Sequence, residues 1–522
     1  MAIDVSPAAR RGAVCWSVAL CLAGAAALGA GGRDDRTLVD AARDRDGNAV
    51  RALLDAGADV NARQPDGATA LHWAAHWDDA GMARRLVRAG ADVDAAGAYG
   101  VTPLSLAAAN ASAVLVELLL GAGADPNTAR DSGETPLMRA ASNGSVAAVR
   151  ALLAAGADID AADPTGAQTA LMLAASGRHP DVVAVLLARG ADLEARSRLG
   201  FTPLLFAARE GDLATARRLV AAGADVDAAM PDGTSALIVA AVRGQVEVAR
   251  FLLEAGADPN AGPIAPGRRP AAAEATASAD PDARRPDYTA LHWASGAWQT
   301  ELAGPNGIAV ERDREWEAIR GLPPAGKPAL VDALLAFGAD PNARMRRTPP
   351  RFGYSQISYE HNKQGVNVFG GATPLMLAAM AGDAEVMRRL AAGGADPALA
   401  TDDGTTLLMV AAGLGRYEAE NLVTEARTLE AVRTALAFGA DVNAVNDVGN
   451  TALHAAAHVK SEAVVLLLAE RGAAIDVANA RGETPVLIAD RFRAGSGNVT
   501  VRTPTGDLLR ALGGQEPAPP PR

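Results

Sequence analysis

The apolar positions of this chain come in pairs of short pulses. In residues 100–127, GVTPLSLAAANASAVLVELLLGAGADPN, a first pulse of Leu104, Leu106, Ala107 and Ala108 gives way to polar Asn110 and Ser112. A second pulse of Val114, Val116, Leu118, Leu119 and Leu120 follows. This spacing predicts two short helices, each with one apolar face. Thr102 is placed to N-cap the first helix, its hydroxyl accepting from an orphaned backbone N–H, and Pro103 fits the first helical position, where no N–H is needed. Gly121 and Gly123 end the second helix because glycine tolerates positive φ. The Ala-Asp-Pro-Asn run beyond them is turn chemistry.

The same unit recurs along the chain. Its opening Thr or Ser stands at Thr69, Thr102, Thr135, Thr169, Thr202, Ser235, Thr289, Thr373, Thr406, Thr451 and Thr484, with gaps of 33, 33, 34, 33, 33, 54, 84, 33, 45 and 33. The aspartate of a closing Gly-Ala-Asp keeps the same phase at Asp59, Asp92, Asp125, Asp158, Asp192, Asp225, Asp258, Asp340, Asp396 and Asp441. These T-P-L-x-x-A-A and G-A-D-V-N segments on a 33-residue spacing resemble the ankyrin repeat, over about twelve units from Arg36 to about Leu512. The first unit (Thr37–Asn61) and the last (Gly482 onward) are degenerate, as capping repeats are. The resemblance implies an all-α repeat solenoid: antiparallel helix-turn-helix units, hairpin fingers projecting sideways, and a concave face for partners. The family's histidine after T-P-L survives only as His72, His292 and His454.

Interruptions of the period divide the chain. The reading is a signal peptide at 1–31, repeats over 34–260, a flexible Pro/Ala-rich linker at 261–287 that splits the solenoid into two blocks, a second block over 288–512, and a disordered tail at 513–522. The second block carries insertions at 296–328, 343–370 and 413–428. Per-repeat insertions map to loops, often on the binding face. The 343–370 segment concentrates Phe352, Tyr354, Tyr359 and Phe369 beside Arg344, Arg346, Arg347 and Arg351. Aromatic and Arg side chains dominate interface hot spots, although the same aromatics would also serve to pin a long loop.

Composition narrows the choices. Aromatics are only 4% and the net charge is −12, so the core is built of thin layers of small residues and leucine, and the basic face a nucleic-acid binder needs is missing. The N-terminus has Arg10 and Arg11, an apolar run from Val14 to about Leu28, and small residues from Ala27 to Gly31 before charged Arg33, the pattern of a secretory signal peptide. The run is shorter than the roughly 20 apolar residues of a spanning helix, so an uncleaved membrane anchor is the alternative. Both cysteines, Cys15 and Cys21, fall within it, leaving a mature chain without disulfides or thiolate ligands.

Catalytic and metal signals are weak. Residues 321–327 (GLPPAGK) have phosphate-loop spacing, but Pro328 replaces the Ser or Thr that would reach Mg²⁺. His72 with His76, and His454 with His458, have the i, i+4 spacing of metal ligands on a helix. The resemblance instead assigns His72 and His454 an inward structural position. The ten Gly-Ala-Asp aspartates are expected to bond backbone amides in their own turns. No cofactor, metal or catalytic residue is therefore expected.

Surface remains. Mapped through the resemblance, the finger tips carry Tyr99, Val101, Leu199, Phe201 and Met230, and the exposed helix ends carry His76, Trp77, Asn110, Asn143, Arg209, Glu210, Arg243 and His458. Exposed apolar residues there would mark a contact site, whereas Trp73 and Trp293 fall at core positions. The sequence thus points to an exported bacterial protein, periplasmic or secreted, acting as a monomeric, non-enzymatic scaffold for a protein partner. The expected contacts are the concave face of units two to seven, with the 343–370 insertion as a second one. Alternatives are a secreted effector, or an enzyme or small-ligand receptor with a pocket formed by Glu315, Glu317, Tyr354, Tyr359 and His361.

Overall fold

A computed structural model describes residues 36–263, 287–296, 326–346, 370–415, 423–494 and 497–515. Among these, helices come in twelve pairs, one per unit. The pairs are α1 (Leu38–Arg43) and α2 (Gly47–Asp55), α3 (Ala70–His76) and α4 (Ala80–Arg88), α5 (Pro103–Ala109) and α6 (Ala113–Gly121), α7 (Pro136–Ser142) and α8 (Val146–Ala154). Then follow α9 (Ala170–Ser176) and α10 (Pro180–Ala188), α11 (Pro203–Glu210) and α12 (Leu213–Ala221), α13 (Ala236–Arg243) and α14 (Val246–Glu254), α15 (Ala290–Ser295) and α16 (Lys327–Ala336). The last four are α17 (Pro374–Met380) and α18 (Ala384–Ala392), α19 (Leu407–Ala411) and α20 (Glu425–Ala437), α21 (Ala452–His458) and α22 (Glu462–Glu470), α23 (Pro485–Ala489) and α24 (Pro504–Ala511). First helices stack on first helices and second on second, giving two layers around one continuous core. The solenoid expected from the repeat spacing is the observed fold.

Local chemistry explains each unit. Thr102 Oγ1 accepts from Ser105 N at 3.1 Å and Pro103 opens α5, satisfying the helix start. The small residues Ala107 and Ala108 are fully buried, which lets first helices approach closely. In α6 the buried set is Leu115, Val116 and Leu119, while Val114 is 57% exposed. This corrects the expected apolar face, because a nine-residue helix packed between two neighbours buries a narrower stripe than its composition offers. Fingers close by a tight turn, as in Gly67 N to Gln64 O at 2.8 Å with φ +82° at Gly67.

The Gly-Ala-Asp turns link unit to unit. Within each turn the aspartate accepts from a backbone N–H two residues on, as in Asn127 N to Asp125 Oδ1 at 2.9 Å. Two residues past that aspartate, an Asn, Asp or Glu side chain accepts from the backbone N–H of the next unit's turn, as in Asp92 N to Asn61 Oδ1 (2.7 Å), Asp125 N to Asp94 Oδ1 (2.9 Å) and Asp225 N to Glu194 Oε1 (2.9 Å). Where the residue is Asn, its amide also donates to a carbonyl of the next unit, as Asn127 Nδ2 does to Gly156 O at 3.2 Å.

That ladder corrects the expected split into two blocks. Asn260 accepts from Asp340 N at 2.7 Å and donates to Gly338 O at 2.9 Å, and α15 and α16 pack on α13 and α14. Asp287 N donates to Pro263 O at 2.6 Å, so the chain returns to the finger it left. Units seven and eight therefore stack as direct neighbours, and residues 264–286 lie outside the described residues. At the C-terminal end, α23 and α24 are separated by an antiparallel hairpin, β1 (Arg491–Ala494) with β2 (Gly497–Thr500), a departure from a purely helical chain.

Candidate protein-binding face

The side of the first-helix layer turned away from the second helices, together with the fingers, is the face expected to receive a partner. On it, the fifth residue of a unit counted from the opening Thr is half-buried at Leu106, Arg139 and Leu173 and buried at Trp73, Phe206, Val239 and Leu377. At this position the face therefore presents side chains chiefly in units three to five, with Trp77 and Tyr99 adding to it at the end of α3 and the next finger. Arg139 is anchored there by Glu134, which also takes Arg130 at 3.4 Å.

The candidate residues separate into three groups. Tyr99 is 67% exposed at a finger tip and Trp77 is 37% exposed at the end of α3. Trp77 stacks on Trp73 with centroids 6.3 Å apart, meets His76 edge-on at 4.6 Å, and lies under the Arg45 guanidinium at 5.4 Å. Tyr99 has φ +60°, a left-handed conformation unusual for an aromatic residue.

A second group is buried, contrary to expectation. Phe201 is fully buried: its N–H donates to Ser197 Oγ at 3.1 Å, turning the ring inward against Phe206, 5.2 Å away, with Arg209 over both rings. Phe201 is therefore a packing residue. Met230 is also buried, and Val101 and Leu199 are half-buried.

A third group has structural work that single-sequence reading missed. Residues at the first-helix ends cap the carbonyls of the preceding unit's first helix. Trp77 Nε1 donates to Arg43 O at 3.0 Å, Asn110 Nδ2 to Ala75 O at 2.9 Å, Asn143 Nδ2 to Ala109 O at 2.8 Å, and Arg243 Nε to Arg209 O at 3.3 Å. His179 Nε2 meets Ser142 O at 2.9 Å. These side chains vary because any donor of suitable reach satisfies an orphaned helix C-terminus. Burial, with Arg209 nearby, holds the Arg243 guanidinium below its ordinary pKa despite Glu210. The candidates Phe352, Tyr354 and Tyr359, and the pocket residues Glu315, Glu317 and His361, lie outside the described residues, as do positions 1–35.

The histidines are structural. His72 Nδ1 accepts from Thr69 N at 3.1 Å, which puts the proton on Nε2, and Nε2 donates to Val101 O at 3.0 Å. His292 and His454 repeat this arrangement toward Ala343 O and Glu483 O, both at 3.1 Å. Both ring nitrogens are engaged, and burial lowers all three pKa values, that of His292 to about 4. Lys327, the lysine of the phosphate-loop spacing, is buried and donates to Gly296 O, and burial lowers its pKa to about 8. Among the described residues no three His, Cys, Asp or Glu side chains converge as metal ligands, and no helix is long and apolar enough to cross a membrane.

Twelve stacked helix pairs, a fingered edge and a face with exposed aromatics define a helical-repeat interaction module. Ankyrin-repeat profiles match residues 38–130, 104–197, 194–262 and 324–426 (three copies), 425–458 (many copies) and 448–480 (single repeat). The chain belongs to the ankyrin repeat family, whose domains generally mediate protein–protein interaction. Among solved structures it is similar to the human ASB11 ankyrin repeat domain, at 29% identity over 44% of this chain and 100% of that one, with a TM-score of 0.39. It is also similar to the ankyrin repeat domain of Bcl-3, described as a unique member of the IkappaB protein family, at 34% identity over 38% and 90%, with a TM-score of 0.35.

Proposed function

We propose that this chain is a non-catalytic scaffold or adaptor that holds a protein partner on the first-helix and finger face of units two to five. The signal-peptide pattern of residues 1–31 supports a site of work outside the bacterial cytoplasm, in the periplasm or beyond. The observation that carries the reading is Tyr99, two-thirds exposed at a finger tip with φ +60°. A left-handed conformation costs a non-glycine residue on the order of 1–3 kcal/mol, and an exposed ring contributes little burial to folding in return. Large aromatic area with few rotatable bonds is what interface hot spots use. Trp77, held rigid by its stacking and its capping bond, supplies a second anchor.

The test is affinity capture from an extract of the cell envelope, using the chain from about Gly32 and its Tyr99→Gly variant. Glycine relieves the left-handed strain, so the variant is expected to be at least as stable as the parent while losing the partner. Equal recovery of the partner by both proteins would remove the finger tip from the binding face.

A further inference from the structure

Unit ten departs from its neighbours at two independent positions. Six residues before the Gly-Ala-Asp aspartate, or its equivalents Ala474 and Gln515 in the last two units, the second helix of every other unit from two to twelve carries a fully buried leucine, such as Leu390 in unit nine and Leu468 in unit eleven. In unit ten that position is Ala435. The buried side chains of α20 are Thr428, Ala431, Val432, Thr434 and Ala435, against Val464, Val465, Leu467 and Leu468 in α22. At the place of the repeated leucine the second layer of unit ten therefore holds only a methyl group, and the larger apolar side chains of this segment, Leu429, Leu436 and Phe438, are only partly buried against the core.

The loop-base ladder also breaks there. Asn342 accepts from Asp396 N at 2.7 Å and Asn443 from Ala474 N at 2.8 Å, but between them the acceptor position is Ala398, whose methyl can accept nothing from Asp441. At the opposite, first-helix-end side, Arg427 reaches Ala381 O at 2.9 Å and Gly382 O at 3.3 Å, and between the second helices Arg388 meets Glu430 at 3.0 Å and Thr434 Oγ1 at 3.3 Å. The Arg388 pair is exposed, and such pairs add little. The joint between units nine and ten is thus tied at one edge and loose at the other.

In a repeat array each unit contacts only its neighbours, so a weak internal unit divides the stack into separately cooperative parts. We propose that unit ten is such a boundary: units ten to twelve open as a block while units one to nine stay folded, transiently uncovering the apolar side of α21 and α22 around Leu453, Val464 and Leu468.

Hydrogen exchange read by mass spectrometry on the full chain tests this, comparing the parent with Ala398→Asn, which restores the missing acceptor, and Ala435→Leu, which restores the missing leucine. In the parent, amides of α19–α24 are expected to share one opening rate, with a step in protection at unit ten. Ala398→Asn should slow exchange in α19–α24 by roughly five- to tenfold, the worth of one hydrogen bond, and leave α3–α14 unchanged. Because added methylenes can overpack a settled core, the asparagine variant decides the matter. A smooth gradient of protection with no step, or identical exchange in the parent and Ala398→Asn, would overturn the proposal.

Discussion

Acid should loosen this solenoid at one identifiable ring. His292 is fully buried as the neutral tautomer, accepting from Thr289 N at 3.1 Å and donating to Ala343 O at 3.1 Å, and burial lowers its pKa from 6.5 to about 4. Between those values the unfolded chain binds a proton that the folded chain excludes, so stability falls as pH drops from above 6.5 toward 4 and levels off below. One pKa unit corresponds to about 1.36 kcal/mol. The linkage integral then gives a loss of about 2 kcal/mol at pH 5 and about 3 kcal/mol at pH 4 from this ring alone. The variant that isolates it is His292→Met, because methionine already fills the same position in four other units as Met138, Met172, Met376 and Met409. It forfeits the bond to Ala343, so its absolute stability is not the readout. Urea unfolding at pH 7 and pH 5 should show a smaller drop for His292→Met than for the parent, by about 2 kcal/mol. His72 and His454, shifted in the same direction by burial, remain in both proteins and cancel in the difference. An equal drop in parent and variant would refute the reasoning.

Two further perturbations separate packing from recognition. Phe201→Ala should cost about 3–5 kcal/mol by leaving a cavity beside Phe206, seen as a lower urea midpoint; partner capture at a temperature where the variant is folded should be unchanged. Asp490 is buried and accepts from Thr503 N at 2.9 Å, from Thr503 Oγ1 at 3.1 Å and from Arg510. Asp490→Ala should free α24 and raise proteolysis between the hairpin and Gln515 at least tenfold, with α3–α14 protected as before, because it removes the bonds from Thr503 and one of the two carboxylates that hold half-buried Arg510, Asp507 being the other.

Much of the fold was legible because each unit states its own rules. Thr102, Pro103 and the Gly-Ala-Asp turn act within a few residues, so spacing and cap chemistry exposed them, and the inward histidines followed from the family pattern. What escaped involves partners about 33 residues away. Asn110 and Asn143 read as variable surface positions, whereas their amides close the helix ends of the preceding units. Phe201 is the local exception: it read as a finger tip, although Ser197, four residues earlier, accepts its N–H and the ring turns inward onto Phe206. The linker reading of 261–287 rested on composition, and composition does not reveal that Asp287 returns to Pro263 and that Asn260 resumes the ladder at Asp340. Of the candidate site, Trp77 and Tyr99 are exposed as their side-chain character suggested, while Met230 and Phe201 are buried.

The ladder at the loop bases also makes the molecule a ruler. Each rung joins a turn to its equivalent one unit on, so the two turns stay at hydrogen-bonding distance whether 33 residues separate them or, as between Asn260 and Asp340, many more; at Ala398 the rung is missing. Excising one whole regular period, from Asn127 through Pro126's counterpart Ile159, would bring Asp160 into the place of Asn127, where it could accept from the next turn as its predecessor did, whereas removing three residues from a second helix would turn its leucine out of the core and leave the rung unreached. Length in this chain is therefore tolerant of change in whole modules and intolerant of fractions.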